Sequence, residues 1–197
     1  MEFIAHRVNT IALLKTIPRH FGVELDLRDQ DSRLVLEHDP FKKGGDDFAK
    51  YLKHYHHRTL ILNIKSERIE EEVLRLLRKY RIKKYFFLDS SFPMIHYLIK
   101  KGEKNIALRF SEYEKMDTIL AMKGQVKWVW VDCFRGLPIN RGNCRIFKKA
   151  GFKLCLVSPE LQGRPSDIEK YKAYLKKEKI IVDAICTKYA NIPIWND

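Results

Sequence analysis

Glycine and proline are sparse in this chain, 9 and 7 of its 197 residues, which excludes a collagen repeat and leaves no linker-like stretch. Cysteine is scarcer still. Cys133, Cys144, Cys155 and Cys186 are the whole complement, with no Cys-x-x-Cys pair and no Cys/His zinc spacing. A disulfide scaffold and a zinc module are thereby excluded, and four buried free thiols in a reducing compartment are expected. No apolar run approaches the length that crosses a bilayer. The first residues, 1–7, lack the basic segment and apolar stretch of a signal peptide. The expectation is a cytoplasmic protein with no transmembrane segment. Acidic residues are in deficit, 25 against 38 Lys and Arg, for a net charge of +13. That balance favours anionic partners such as phosphate esters, nucleic acid or an acidic membrane surface, without choosing among them.

What is present is an ordinary globular composition, 45% apolar and 32% charged, which excludes a disordered chain. Neither a domain linker nor an internal repeat is visible, so residues 1–197 are read as one domain. Short apolar runs at 3–7, 23–28, 60–65, 85–89, 105–110, 128–134, 153–158 and 184–188 are candidate strands. A further extended piece, 34–38, follows an Asp-Gln-Asp-Ser turn and should pair locally or prolong the second strand. Helical patterns fill the gaps at 10–16, 46–56, 66–80, 93–101, 112–123, 140–149 and 166–177. The clearest is 66–80, where Ile69, Val73, Leu76, Leu77 and Tyr80 recur at helical spacing. Ser66 stands there at the N-cap position, and Glu67, Glu70, Glu71 and Glu72 crowd the first turns, where the helix dipole favours negative charge.

Strands alternating with helices imply parallel β-α units. Eight units predict a small, single-domain (β/α)8 TIM barrel of the α/β class. About 200 residues is near the lower limit for such a barrel, so its loops must be short and its site shallow. An open doubly wound sheet is the alternative, but no Gly-rich phosphate loop follows the first strand.

Function in such a barrel collects at the carboxyl ends of the strands. The first run ends His6-Arg7. The second carries Glu24 and Asp26, two apart and so on one face. Its extension ends His38-Asp39, and the third run ends Asn63-Ile-Lys65. Asp89 ends the fourth, Arg109 lies in the fifth, Asp132 in the sixth and Lys188 at the end of the eighth, while Glu160 follows the seventh. Buried strand ends do not carry so many charges unless the charges meet, since an unpaired buried charge is too costly. Carboxylates with no soft ligand nearby suit Mg²⁺ or Ca²⁺. Arg7, Lys65 and Arg109 suit a phosphate, and two histidines suit acid and base work near neutral pH. Together these parts describe metal-assisted cleavage of a small phosphodiester.

Taken singly, each signal is bland. A lone Glu-x-Asp is commonly surface alternation, a His-Asp pair is commonly a turn, and His54, His56 and His57 read as solvated histidines at a helix end. The ordered conjunction at successive strand ends is what carries weight.

That order, Ile4-Ala-His-Arg7, then Gly22-Val-Glu-Leu-Asp-Leu27, then Leu36-Glu-His-Asp-Pro40, resembles the signature of the glycerophosphodiester phosphodiesterase family. Asn9-Thr10, Leu62-Asn-Ile-Lys65 and Ile185-Cys-Thr-Lys188 extend the resemblance over nearly the whole chain. It implies a (β/α)8 barrel, a divalent metal and hydrolysis of a glycerophosphodiester to an alcohol and glycerol phosphate. It also implies Glu24 and Asp26 as metal ligands, His6 and His38 as the acid/base pair, and Arg7 and Lys65 on the phosphate. Three positions depart from the family pattern. Val8 stands where glycine usually follows His-Arg. Asn63 replaces the third carboxylate ligand, leaving Asp89 as a candidate for the lost charge. Lys188 replaces an aspartate at the last strand end.

Asn63-Ile-Lys65, Phe87-Leu-Asp-Ser90, Ser111-Glu-Tyr-Glu114, Trp130-Val-Asp-Cys-Phe134 and Val157-Ser-Pro-Glu-Leu161 are similar to short members found with bacterial surface-polysaccharide genes, which implies a glycan or sugar-lipid phosphodiester. Two other functions remain open. One is a lyase that releases a cyclic phosphate, as phosphatidylinositol-specific phospholipases C and sphingomyelinase D-type barrels do. The other is a non-catalytic barrel that binds phosphate or nucleic acid. The absence of any recognised nucleic-acid motif, and of aromatics interleaved with the basic residues of 65–84, speaks against nucleic acid.

Overall fold

The computed structural model describes residues 1–196. Eight strands run parallel: β1 (Glu2–Ala5), β2 (Gly22–Gln30), β5 (Leu60–Ile64), β6 (Tyr85–Leu88), β7 (Ala107–Phe110), β8 (Trp128–Val131), β9 (Lys153–Val157) and β10 (Ala184–Thr187). Helices separate them: α1 (Ile11–Thr16), α2 (Phe48–Leu52), α3 (Glu70–Lys79), α4 (Phe92–Lys100), α5 (Met116–Ala121), α6 (Arg141–Lys149) and α7 (Ile168–Lys177), with α8 (Ile192–Asn196) after the last strand. Strands such as β5 and β8 are buried along their whole length. That is why they read as continuous apolar runs rather than as alternation.

The ladders run β6-β5-β2-β1-β10-β9-β8-β7. The two ends of that order, β6 and β7, meet through a single bridge between Phe87 and Ile106, supported by a 2.9 Å bond from the Phe87 amide to the Asn105 carbonyl. The result is a mixed α/β fold around a curled parallel sheet.

A short ribbon decorates this sheet. The β2 strand runs on past its parallel neighbours and turns at Asp31 and Ser32, both at positive φ (47° and 61°), into β3 (Arg33–Leu36). Two consecutive positive φ values make the tight turn whose twist suits a hairpin. The expectation of local pairing for this piece is met, since Leu27 lies opposite Leu36. Beyond it, Asp46–Asp47 forms β4 against β3.

Several element boundaries differ from the sequence reading. The helix expected over 66–80 starts only at Glu70, and its N-cap position is Ile69, which makes no side-chain cap. Arg68, at φ 70°, turns the chain before the helix can begin. Ser66 instead accepts a bond from the Asp29 amide at 3.3 Å. The helix expected over 112–123 begins at Met116, because the Ser111 hydroxyl accepts from the amides of Tyr113 and Glu114 and holds a turn there. The helix expected over 46–56 shrinks to five residues, its start taken by β4 and by Asp47, which caps the Lys50 amide.

All parallel strands end earlier than their apolar or charged runs suggested, except β2 and β7. The residues just past the ends are still tethered. The amide of His6 donates to the Thr187 carbonyl, Val8 to Glu24, Lys65 to Leu27, Asp132 to Phe110 and Ser158 to Cys186, all at 2.8–2.9 Å. The rim at the carboxyl ends is therefore held by backbone bonds, not by loops alone. At the opposite end Gly22 is required: a Cβ there would lie 2.7 Å from the Thr59 carbonyl oxygen. All four cysteines are buried free thiols.

Candidate active site

Alternation along β2 places Glu24 and Asp26 on one face, both almost fully buried, and the ladder sets Asp26 opposite Asn63 of β5. The turn after β1 closes over this pair. Arg7 sits at φ 55°, and this bend brings its amide to Glu24 Oε2 at 2.7 Å and its guanidinium Nε to 3.6 Å from Asp26. Asn9 makes a reciprocal pair with Asp26: its Nδ2 donates to the carboxylate and its Oδ1 accepts from the Asp26 amide, both at 2.9 Å. Asn63 Nδ2 donates to Glu24 Oε1 at 3.0 Å. Lys65 Nζ lies 3.7 Å from Asp26 and 3.6 Å from Asp89.

His6 approaches from the end of β1, its Nε2 3.7 Å from Glu24. Burial, and next the Arg7 charge, push its pKa down to about 4, so it is a neutral imidazole at neutral pH. Glu24 moves the other way. Burial first, and Asp26 second, raise its pKa to about 7, against the opposing bonds from Arg7 and Asn63. Two buried carboxylates this close repel, and Arg7 and Lys65, whose charged groups lie against Asp26, offset that repulsion only in part.

Whether a hard cation suits the place can be tested on the donors themselves. Asn63 Oδ1 is buried without a partner while its Nδ2 is bonded to Glu24. Two carboxylates and an unpaired amide oxygen are suitable oxygen donors for Mg²⁺ or Ca²⁺. Among the described residues no group of three His, Cys, Asp or Glu could hold a metal ion, so the amide would have to be the third donor.

The structure corrects the placement of Asp89. It does not join Glu24 and Asp26; its carboxylate pairs with Arg109 and Lys65. Asp89 has φ 59° immediately after β6, and this turn aims it along the rim toward β7. Arg109, expected on a phosphate, is likewise covered: Asp89 and Asp132 pair with its guanidinium, and Glu114 lies 3.7 Å from its Nε. Asp132 is held in turn by the Gln162 amide and the Cys133 N–H, both at 2.8 Å. Among the described residues this second network is joined to the first through Lys65.

His38 stands at the outer edge of the rim, its side chain 38% exposed, with Nδ1 2.7 Å from Asp39. The His38 bond and Lys42 together hold Asp39 down to about 2, so Asp39 is a carboxylate that orients the ring. Arg28 grips the His38 carbonyl and fixes the loop. His57, by contrast, bonds the Ile17 carbonyl at 2.8 Å, at the other end of the strands. Glu160 is buried beside the β10 end, accepting from Ser158, from Thr187 Oγ1 at 2.5 Å and from the Lys188 amide at 3.0 Å. Gln162 has no counterpart in the sequence reading: a glutamine in a one-turn helix (Pro159–Gln162) carries no spacing or charge signal.

No family model matches the chain, and no curated protein matches it in sequence. In structure, a crystal structure of a glycerophosphodiester phosphodiesterase from Agrobacterium tumefaciens superposes with a TM-score of 0.66 at 16% identity, covering 94% of this chain and 96% of that one. The chain is similar in fold to a glycerophosphodiester phosphodiesterase. The correspondence spans nearly all of both chains, so the likeness is of the whole fold and not of one segment. No helix is long and apolar enough to cross a membrane among the described residues.

Proposed function

We propose that this chain is a metal-assisted phosphodiesterase acting on a glycerophosphodiester or a related glycan or lipid phosphodiester. The carrying observation is one rim that gathers a buried carboxylate pair, a neutral, partly buried histidine and two cations beside the pair. The fold likeness supports this, and the bridge between β6 and β7 supports reading the curled sheet as a closed (β/α)8 barrel.

Glu24, Asp26 and Asn63 would hold the cation. When bound, it supplies positive charge to the phosphoryl oxygens and to an attacking oxygen. Arg7 and Lys65, now shared with Asp26, would turn to the substrate phosphate. His6, already unprotonated, accepts the proton of the attacking nucleophile. His38, backed by the Asp39 carboxylate, carries a proton to the leaving alkoxide. Arg109 and Asp89 then serve Lys65: their ion pair sets the second contact of the ammonium and so fixes where it stands.

The deciding experiment is a panel of glycerophosphodiesters and glycan phosphodiesters with Mg²⁺, Mn²⁺ or Ca²⁺, with products separated. A phosphomonoester and an alcohol are expected. A cyclic phosphate would make the enzyme a lyase, and no turnover with any cation would leave a binding protein. In parallel, calorimetry should show divalent-cation binding that the folded Glu24→Gln/Asp26→Asn variant lacks; equal binding by that variant would remove the pair from the metal site.

A further inference from the structure

The charge of this molecule is distributed by end. The connections that lead from helices into parallel strands, 17–21, 53–59, 80–84, 101–106, 122–127, 150–152 and 178–183, hold eleven Lys and Arg against three acids. The connections at the opposite, site-bearing end, 6–10, 37–45, 65–69, 89–91, 111–115, 132–140, 158–167 and 188–191, hold nine of each sign. More than half of the +13 therefore stands on the face at the amino ends of the strands. Six of the first seven helices also place Lys or Arg in their last turn, which faces that way. Helix dipoles favour basic last turns in any protein, but they give no reason for the lysines of the connections beyond them.

Two of the three acids at this end are engaged: Asp183 pairs with Lys148, and Glu103 accepts from Tyr85 and from the Asn105 amide. Arg19, Arg58, Lys83, Lys84, Lys104 and Lys123 are exposed and have no carboxylate partner among the described residues. Within the same face Ile181 is 73% exposed. Beside it lies an apolar groove of about 550 Å³ lined by Leu175, Ile180, Val182 and Trp195.

We propose that this amino-end face docks onto an anionic lipid bilayer. Eight of the eleven cations are lysines. Lysine is a mobile point charge suited to a diffuse anionic surface, whereas arginine's rigid fork suits individual phosphates. The charges ring the strand ends and do not track one groove, as a nucleic-acid strand would require. Two aromatic rings near this end already lie under cations: Lys79 covers Tyr80 at 5.8 Å and Lys153 covers Trp128 at 5.4 Å. An exposed isoleucine among lysines is the pattern of an interfacial contact, where the apolar group enters the headgroup layer and the cations meet the lipid charge. Docked this way, the rim with Glu24 and Asp26 faces water, so its substrate arrives from the aqueous side. The docking holds whatever reaction that rim performs.

The test is co-sedimentation of the full chain with vesicles of phosphatidylcholine alone or of phosphatidylcholine with phosphatidylglycerol, over a salt series. Binding is expected only with phosphatidylglycerol and should fall as salt rises. Lys83→Glu/Lys84→Glu/Lys104→Glu should weaken it by about tenfold or more, while Lys43→Glu/Lys115→Glu, the same kind of change at the site end, should leave it intact. Thermal melts show that each variant is folded; should the triple variant not fold, Lys123→Glu/Lys179→Glu gives the same reading. No binding to the anionic vesicles, equal binding to neutral ones, equal loss from both variant sets, or tighter binding to an oligonucleotide at the same salt would each overturn the proposal.

Discussion

Glu24 is the residue on which the candidate site turns. Its folded pKa, about 7 against an ordinary 4.5, means that between those values the folded protein holds a proton the unfolded chain has released. Stability must therefore fall as pH rises through that window, with the full cost present above it. In chelator, Glu24→Gln should be more stable than wild type near pH 8 by about 3 kcal/mol, and the advantage should vanish below about pH 4.5. Thermal melts across pH measure it, and a variant less stable at pH 8 would mean the carboxylate is already compensated. The histidines divide differently. A good leaving group needs no protonation, so His38→Ala should cleave a nitrophenyl phosphodiester far better, relative to wild type, than an alkyl one. His6→Ala should lose kcat on both. Parallel losses in the two variants would refute the division of roles.

At the scale of elements, the rim depends on what happens one residue past each strand. Positive φ at Arg7 and Asp89 turns the chain there, and neither position is glycine, so sequence gave no cue. The β10 end is tied by Glu160 through Ser158, Thr187 and the Lys188 amide, and Thr187 in turn receives the His6 amide. Glu160→Ala would strand these buried donors, and an unmet buried group costs about 1–3 kcal/mol. A lowered melting temperature together with reduced kcat is expected, because His6 loses its anchor. A loss of stability with kcat intact would make Glu160 a purely structural tie. The strands and their order were legible in the apolar runs, as was the local pairing of 34–38. The starts of α1, α4 and α6 were legible to within a residue, but two others were not: Ser66 and Glu112 looked like helix entries because composition does not reveal that a hydroxyl is spent on a neighbouring amide.

For the whole molecule, the weakest join is between β6 and β7. The β2–β5 ladder pairs five residues, whereas β6 and β7 share one bridge at Phe87. Local opening follows the scarcity of such bonds. In native-state hydrogen exchange the Phe87 amide should exchange well before that of Leu62, although both are buried. Equal protection would show that side-chain packing, not the ladder, sets the stability of this seam. The same global view shows the charge asymmetry, which the net charge of +13 could only announce as a preference for anions.

Periodicity and strand-end chemistry were enough to determine the α/β class, the eight parallel strands, and the meeting of Glu24, Asp26, His6, Arg7 and Lys65. These follow from local rules: alternation puts Glu24 and Asp26 on one face, and burial of so many charges demands that they converge. Tertiary structure alone decided the partners across strands. Asp89 and Arg109 were expected on a metal and on a phosphate because each stands at a strand end with the right charge. Adjacent strands instead place them against each other, where opposite charges attract at contact distance, while the Glu24 and Asp26 carboxylates would repel Asp89. Asn63 went the other way: its place on β5 was read from sequence, but only the fold left its carbonyl buried and unpaired beside Glu24, because the neighbouring strand supplies an acceptor for its amide and no donor for its oxygen.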